Sequence, residues 1–196
     1  MRFISFDTET TGLRPGQICQ LSYVIDNAGT AMGKNYFFAV RSIEPGASNV
    51  HGFTVPVLDK LSQGMGFAHH AEAILTDFES ADLLLAHNFS FDHSFLVAEF
   101  DRTGKKPSFP RQLCTMRHFT PFCKLPSTRS QGYGSSYKYP SLTELTRFFG
   151  ITDKMVSERS KELFNLPHHV EYHDARVDST AVYLCYKKAV ASGMIE

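Results

Sequence analysis

The 196-residue sequence predicts an α/β fold, read as one domain over residues 1–196. Three observations predict it. Three β-rich segments follow one another near the N-terminus, apolar positions then recur at helical spacing, and one stretch turns from a continuous apolar run into a helix across a short polar turn. A hydrophobic content of 42% and a formal net charge of zero describe a chain able to build a core, without the excess charge of a disordered one.

Residues 2–7 read as a buried strand, and residues 17–26 and 32–40 as two more joined through Asn27-Ala28-Gly29, so three antiparallel strands are expected in succession. Phe67, Ala71, Ile74, Leu75 and Phe78 share one face of a helix over 67–80. In LLLAHNFSFDHSFLVAEF, residues 83–86 suit a buried strand, and Asn88 or Ser90 can cap a helix that Thr103-Gly104 stops after Arg102. Strand, turn and helix in that order make the parallel α/β pattern. Residues 107–140 are rich in Pro, Gly, Ser and Tyr, which predicts irregular structure there. Ser141, with Glu144 three residues on, opens a short helix closed by Gly150, and Asp174 opens a last helix reaching about Val190.

No run approaches the ~20 apolar residues of a membrane span, and the first apolar run meets Asp7 too soon for a secretory signal, so a cytoplasmic protein without a membrane partner is expected. Cys19, Cys114, Cys123 and Cys185 are widely spaced, which predicts reduced thiols. Charge is segregated: residues 42–101 hold nine acids against Lys60 alone, and residues 102–143 hold eight bases and no acid. Clustered Lys and Arg neutralise phosphates, so a polyanionic partner is one reading and a solvated basic surface the other.

FISFDTETTGL places Asp7 and Glu9 two apart at a strand end, where they share a face if the strand continues that far. Like charges held together repel unless a cation intervenes, and oxygen ligands favour Mg²⁺ or Mn²⁺; the plain alternative is a surface Asp-x-Glu. Asp92 falls in the first turn of its helix beside a strand end, as a ligand or as a simple partner of the helix dipole. In EYHDARVD, His173 and Asp178 are five apart and would diverge by roughly 140° on one helix. They converge only if His173 precedes the helix, with Asp174 as its N-cap.

FDTETTGL, LLLAHNFSFDHSFL and HDARVD resemble, in order, the three motifs of the DEDDh 3′-to-5′ exonucleases. VHGFT at 50–54, with His51, and YKYPSLTELTRFFGI resemble further segments of that family. The resemblance implies an RNase H-like mixed five-stranded sheet, its first three strands antiparallel, flanked by helices. It also implies a hydrolase that releases nucleoside 5′-monophosphates from the 3′ end of DNA or RNA. Asp7, Glu9, Asp92 and Asp178 would be metal-site carboxylates for two divalent ions, Mg²⁺ or Mn²⁺, and His173 the general base. Thr10, Thr11, Gly12 and Leu13 would meet the terminal nucleotide, with His51 and Asn88 beside them, although Asn88 suits a helix cap as well.

Phe119, Phe122, Tyr133, Tyr137 and Tyr139 interleave with Arg117, Lys124, Arg129 and Lys138, a pattern suited to stacking bases and tracking a single strand. Arg129 and Lys138 are the expected backbone contacts. A zinc cluster of His168, His169 and His173 is disfavoured, because Pro167 precedes it and the family pattern uses His173 otherwise. The competing class is a nucleic-acid-binding module that kept the fold and lost catalysis, but four carboxylates facing a polyanion argue against it. The chain ends in ASGMIE after the last helix, which favours a stand-alone repair or RNA-processing enzyme over a proofreading subunit. A polymerase partner or a second copy stays open.

Overall fold

The computed structural model describes residues 1–127, 137–166 and 174–195. Strands β1 (Arg2–Thr10), β2 (Ile18–Asn27) and β3 (Thr30–Phe37) lead into helices α1 (Pro45–His51), α2 (Val55–Ser62) and α3 (Phe67–Glu79). β4 (Leu83–Ala86), α4 (Phe89–Arg102), β5 (Arg111–Cys114), α5 (Thr115–Cys123), α6 (Leu142–Phe148), α7 (Asp153–Phe164) and α8 (Ala175–Ala191) follow. The sheet has the order β3-β2-β1-β4-β5. Its first three strands are antiparallel, while β4 pairs parallel with both β1 and β5, which bears out the expected mixed five-stranded sheet.

β1 is central and buried on both faces, and its alternation sorts the molecule into two layers. Ile4 and Phe6 point into a core with Phe78, Phe95 and Phe100 of α3 and α4. Phe3 points the other way, against Tyr183 and Tyr186 of α8. On the α8 side Ser5 donates its hydroxyl to the Ser179 carbonyl at 3.0 Å. Both serines are fully buried, and their small size lets α8 lie close on β1. The β2–β3 hairpin closes through Ala28 and Gly29, both at positive φ, as a two-residue turn requires.

Elements expected from the sequence reappear at 67–79, 83–86, 89–102, 142–148 and 175–191. Ser141 and Glu144 form both halves of the capping box, and Asp174 caps α8 by accepting from the Arg176 N–H. Several boundaries differ. β1 continues past residue 7 because Thr8 and Glu9 go on pairing with Leu21 and Gln20, until the register shifts before Thr10. β5 and α5 lie in the stretch expected to be irregular; β5 is a partly exposed edge strand and so carries little apolar signal. α1, α2 and α7 were not anticipated. α1 buries no side chain, while α7 buries Val156, Ser160 and Leu163 on one face, a spacing the sequence does display.

No two of the four cysteines are bonded to each other; Cys19 and Cys185 are buried and Cys114 and Cys123 half-buried. Among the described residues no helix is long and apolar enough to cross a membrane.

Candidate active site

The same alternation that divides the core positions the carboxylates. Asp7 and Glu9 fall in register with Phe3 and Ser5 on the α8 face, and Asp178, one residue before Ser179, comes down on them from α8. One carboxylate oxygen from each of Asp7, Glu9 and Asp178 lies within 4.8 Å of the others. Asp92 approaches from the opposite layer. Thr8, facing α4, donates its N–H (3.1 Å) and its hydroxyl (2.7 Å) to Asp92 Oδ1, so two hydrogen bonds tie the α4 carboxylate to the strand that carries the other two.

Burial is the main influence on all four acids, and each is shifted upward. Asp7 stands well above the usual carboxylate range, with Asp92, Asp178 and Glu9 adding repulsion after desolvation. Glu9 is pushed up to about 9 by burial, then by the charges of Asp178 and Asp174. Asp92 and Asp178 each rise to about 7; at Asp92 the Thr8 hydrogen bonds oppose the burial, and at Asp178 the Asp174 charge adds to it. An all-oxygen cluster at this spacing, with more negative charge than its surroundings balance, fits a hard divalent cation.

Beside Glu9 opens a cavity of about 330 Å³ bordered by Thr10, Gly12, Leu13, Val50 and His51. Leu13 is 84% exposed on its rim. The loop behind it is braced: the Thr10 hydroxyl donates to the Gly12 carbonyl, the Thr11 carbonyl accepts from the Glu44 N–H, and Glu99 accepts from the Ile18 N–H. His51 Nδ1 accepts from the Phe53 N–H at 3.0 Å, which assigns the ring proton to Nε2, facing the Thr10 carbonyl at 3.2 Å. The ring is therefore neutral, and burial pushes its pKa down.

The structure thus gathers Asp7, Glu9, Asp92, Asp178, Thr10, Gly12, Leu13 and His51, with Thr11 in the loop that braces them. Asn88 occupies the N-cap of α4, but in a left-handed conformation and without a side-chain cap. Lys138 is ion-paired to Glu144 at 2.5 Å. His173 and Arg129 lie outside the described residues, as does Tyr133. Phe119 corrects the stacking pattern: it is fully buried against Leu145 and Phe149 and has no face to offer a base. Thr8, Gln20 and Glu44 went unread in the sequence. Thr8 and Gln20 carried a signal, as polar residues inside otherwise apolar strands.

The sheet order and its antiparallel start define an RNase H-like α/β fold. Among solved structures, the chain is similar to exonuclease I at a TM-score of 0.71 and 18% identity, over 97% of this chain and 41% of that one. It is similar to E. coli exonuclease I in complex with a dA16 oligonucleotide (TM-score 0.70, 18% identity, 97% and 41% covered). A product-bound exonuclease I gives a TM-score of 0.69 at 17% identity, with 97% and 43% covered. The chain therefore shares the fold of exonuclease I while spanning about two fifths of its length. No protein-family profile matches the sequence, and no curated protein is similar to it by sequence.

Proposed function

We propose that the chain is a metal-dependent 3′-to-5′ exonuclease acting on single-stranded DNA. The observation that carries this reading is the approach of Asp7, Glu9 and Asp178 to within 4.8 Å, with Glu9 also lining a nucleotide-sized cavity. The exonuclease I fold supports it, and E. coli exonuclease I has been captured with oligonucleotides and with a zinc ion.

Asp7, Glu9 and Asp178 would hold the cations, and Asp92, anchored by Thr8, would add charge from the other side of β1. Bound divalent ions supply neutralisation of the phosphate and lower the pKa of an attacking water. The cavity takes the terminal nucleotide, and Leu13 presents an apolar edge to its base. His173 accepts the proton of the attacking water. The water oxygen bonds to phosphorus as the bond to the departing 3′ oxygen breaks, that oxygen takes up a proton from solvent, and a nucleoside 5′-monophosphate leaves.

A time course on 5′-labelled single-stranded DNA and the matching RNA, with Mg²⁺, Mn²⁺ or EDTA, tests the reading. The wild type should shorten DNA from the 3′ end only with metal, and Asp7→Ala should lose at least about 10³-fold in rate. Retained DNA binding without cleavage would instead identify a binding module; faster cleavage of RNA would reverse the substrate.

A further inference from the structure

We infer that Gln20 and Asp174 form a latch that positions Asp178 for cation binding, an inference that rests on the metal-site reading above. Gln20 is wholly buried on β2, opposite Glu9 in the β1–β2 register and on the same face of the sheet. Its Nε2 donates to Asp174 Oδ1 at 3.0 Å and to Asn35 Oδ1 at 2.9 Å, while its Oε1 accepts from the Ala175 N–H at 3.2 Å. One orientation of the carboxamide satisfies a carboxylate acceptor and a backbone donor together. Two of its three bonds therefore end on the first residues of α8.

Asp174 completes the latch from the helix side. Its Oδ1 also accepts from the Arg176 N–H (2.9 Å) and Nε (2.8 Å), and its Oδ2 from the far end of the same guanidinium (2.5 Å). That guanidinium lies 5.6 Å over the Phe37 ring of β3. The start of α8 is thus fastened to both β2 and β3. Asp178 sits one turn along, its N–H bonded to the Asp174 carbonyl, so a shift of the first turn carries the Asp178 carboxylate with it.

Asp174 is itself no ligand in this arrangement. Both its oxygens are engaged by Gln20 and Arg176, whereas Asp7, Glu9 and Asp178 have no side-chain hydrogen-bond or ion-pair partner among the described residues. Its carboxylate holds the helix in place, and Arg176 balances its charge.

Mn²⁺ binding by calorimetry, without nucleic acid, tests the latch independently of cleavage. Gln20→Met, close in length but unable to hydrogen-bond, should weaken Mn²⁺ about tenfold, and so should Asp174→Ala. Asp174→Asn keeps an oxygen for Gln20 and for the helix N–H and should stay within about threefold of wild type. Tyr183→Phe, which removes a hydrogen bond to Asp26 farther along α8, supplies the control for lost stability alone and should leave Mn²⁺ affinity unchanged.

Unchanged affinity in a folded Gln20→Met would overturn the latch. Equal loss in Asp174→Asn and Asp174→Ala would overturn it too, because the charge of Asp174 would then be what matters; that pair also decides if Gln20→Met does not fold. A wild type that binds no Mn²⁺ overturns the latch and the metal site together, whereas binding that ignores all three substitutions overturns the latch alone.

Discussion

Leu13 and Asp7 separate function from stability at single positions. An 84% exposed leucine contributes little burial, so Leu13→Ala should leave the melting temperature within about 1 °C while lowering kcat/KM on single-stranded DNA roughly tenfold. Melting and steady-state kinetics on one preparation check both halves, and an unchanged kcat/KM would remove Leu13 from the nucleotide site. At Asp7 the expected signs are opposite. Its carboxylate is crowded by Asp92, Asp178 and Glu9, so Asp7→Asn relieves repulsion in the metal-free protein while removing a cation ligand. The EDTA melting temperature should therefore rise as metal-dependent cleavage disappears. A fall in that temperature would show that Asp7 serves the fold rather than opposing it.

The packing of α8 on β1 decides whether the carboxylates meet. Ser179→Val adds bulk where Ser5 and Ser179 are both fully buried, and overpacking of this kind costs about 1–3 kcal/mol. Because the added volume lies next to Asp178, the same substitution should weaken Mn²⁺ binding. Ser141→Ala, which loses the capping box of α6, should cost about 1 kcal/mol and leave Mn²⁺ binding intact. Calorimetry and thermal melting of the two variants side by side would distinguish site geometry from general stability. The elements that matter most here were also the most readable. Asp7, Glu9, Asp92 and Asp178 stood in motif order, and the caps Ser141 and Asp174 announced their helices through side-chain chemistry. What sequence could not convey was which layer each residue entered. Thr8 of β1 reaches Asp92 of α4, and Gln20 of β2 reaches Asp174 at the head of α8, contacts between distant segments that no local pattern records. α1 left no trace because it buries nothing, and β5 because an exposed edge strand lacks an apolar run.

Across the whole molecule the formal charge is zero, so the strain in this protein is one of placement. Part of the segregated charge is reconciled within the fold: Arg102 pairs with Glu99, and Lys105 with Glu72, joining the basic stretch to the acidic one. The carboxylates gathered about β1 are not reconciled in this way, and a pH dependence of stability follows. Their folded pKa values are raised, to about 7 for Asp92 and Asp178 and about 9 for Glu9, against ~4 in an unfolded chain. Between those limits the folded state binds more protons than the unfolded state, so stability falls as pH rises. The contribution is complete below pH ~4 and is lost as pH climbs through 7 and towards 9. His51, His70, His87 and His93 have lowered pKa values and act in the opposite direction, their stabilisation being lost as pH falls below ~6.5. Buried Cys19 and Cys185 reinforce the carboxylate trend only once unfolded thiols ionise, above pH ~8.5. Among the described residues, the window from pH 7 to 8.5 is therefore dominated by the carboxylates. In EDTA the melting temperature should drop by several degrees across it, and saturating Mg²⁺ should flatten the slope, because a bound cation favours the charged forms. Asp7→Asn should flatten it without metal. A melting temperature that holds steady or rises in EDTA over this window would mean that the cluster is not strained, and the case for a cation among Asp7, Glu9 and Asp178 would lose its electrostatic support.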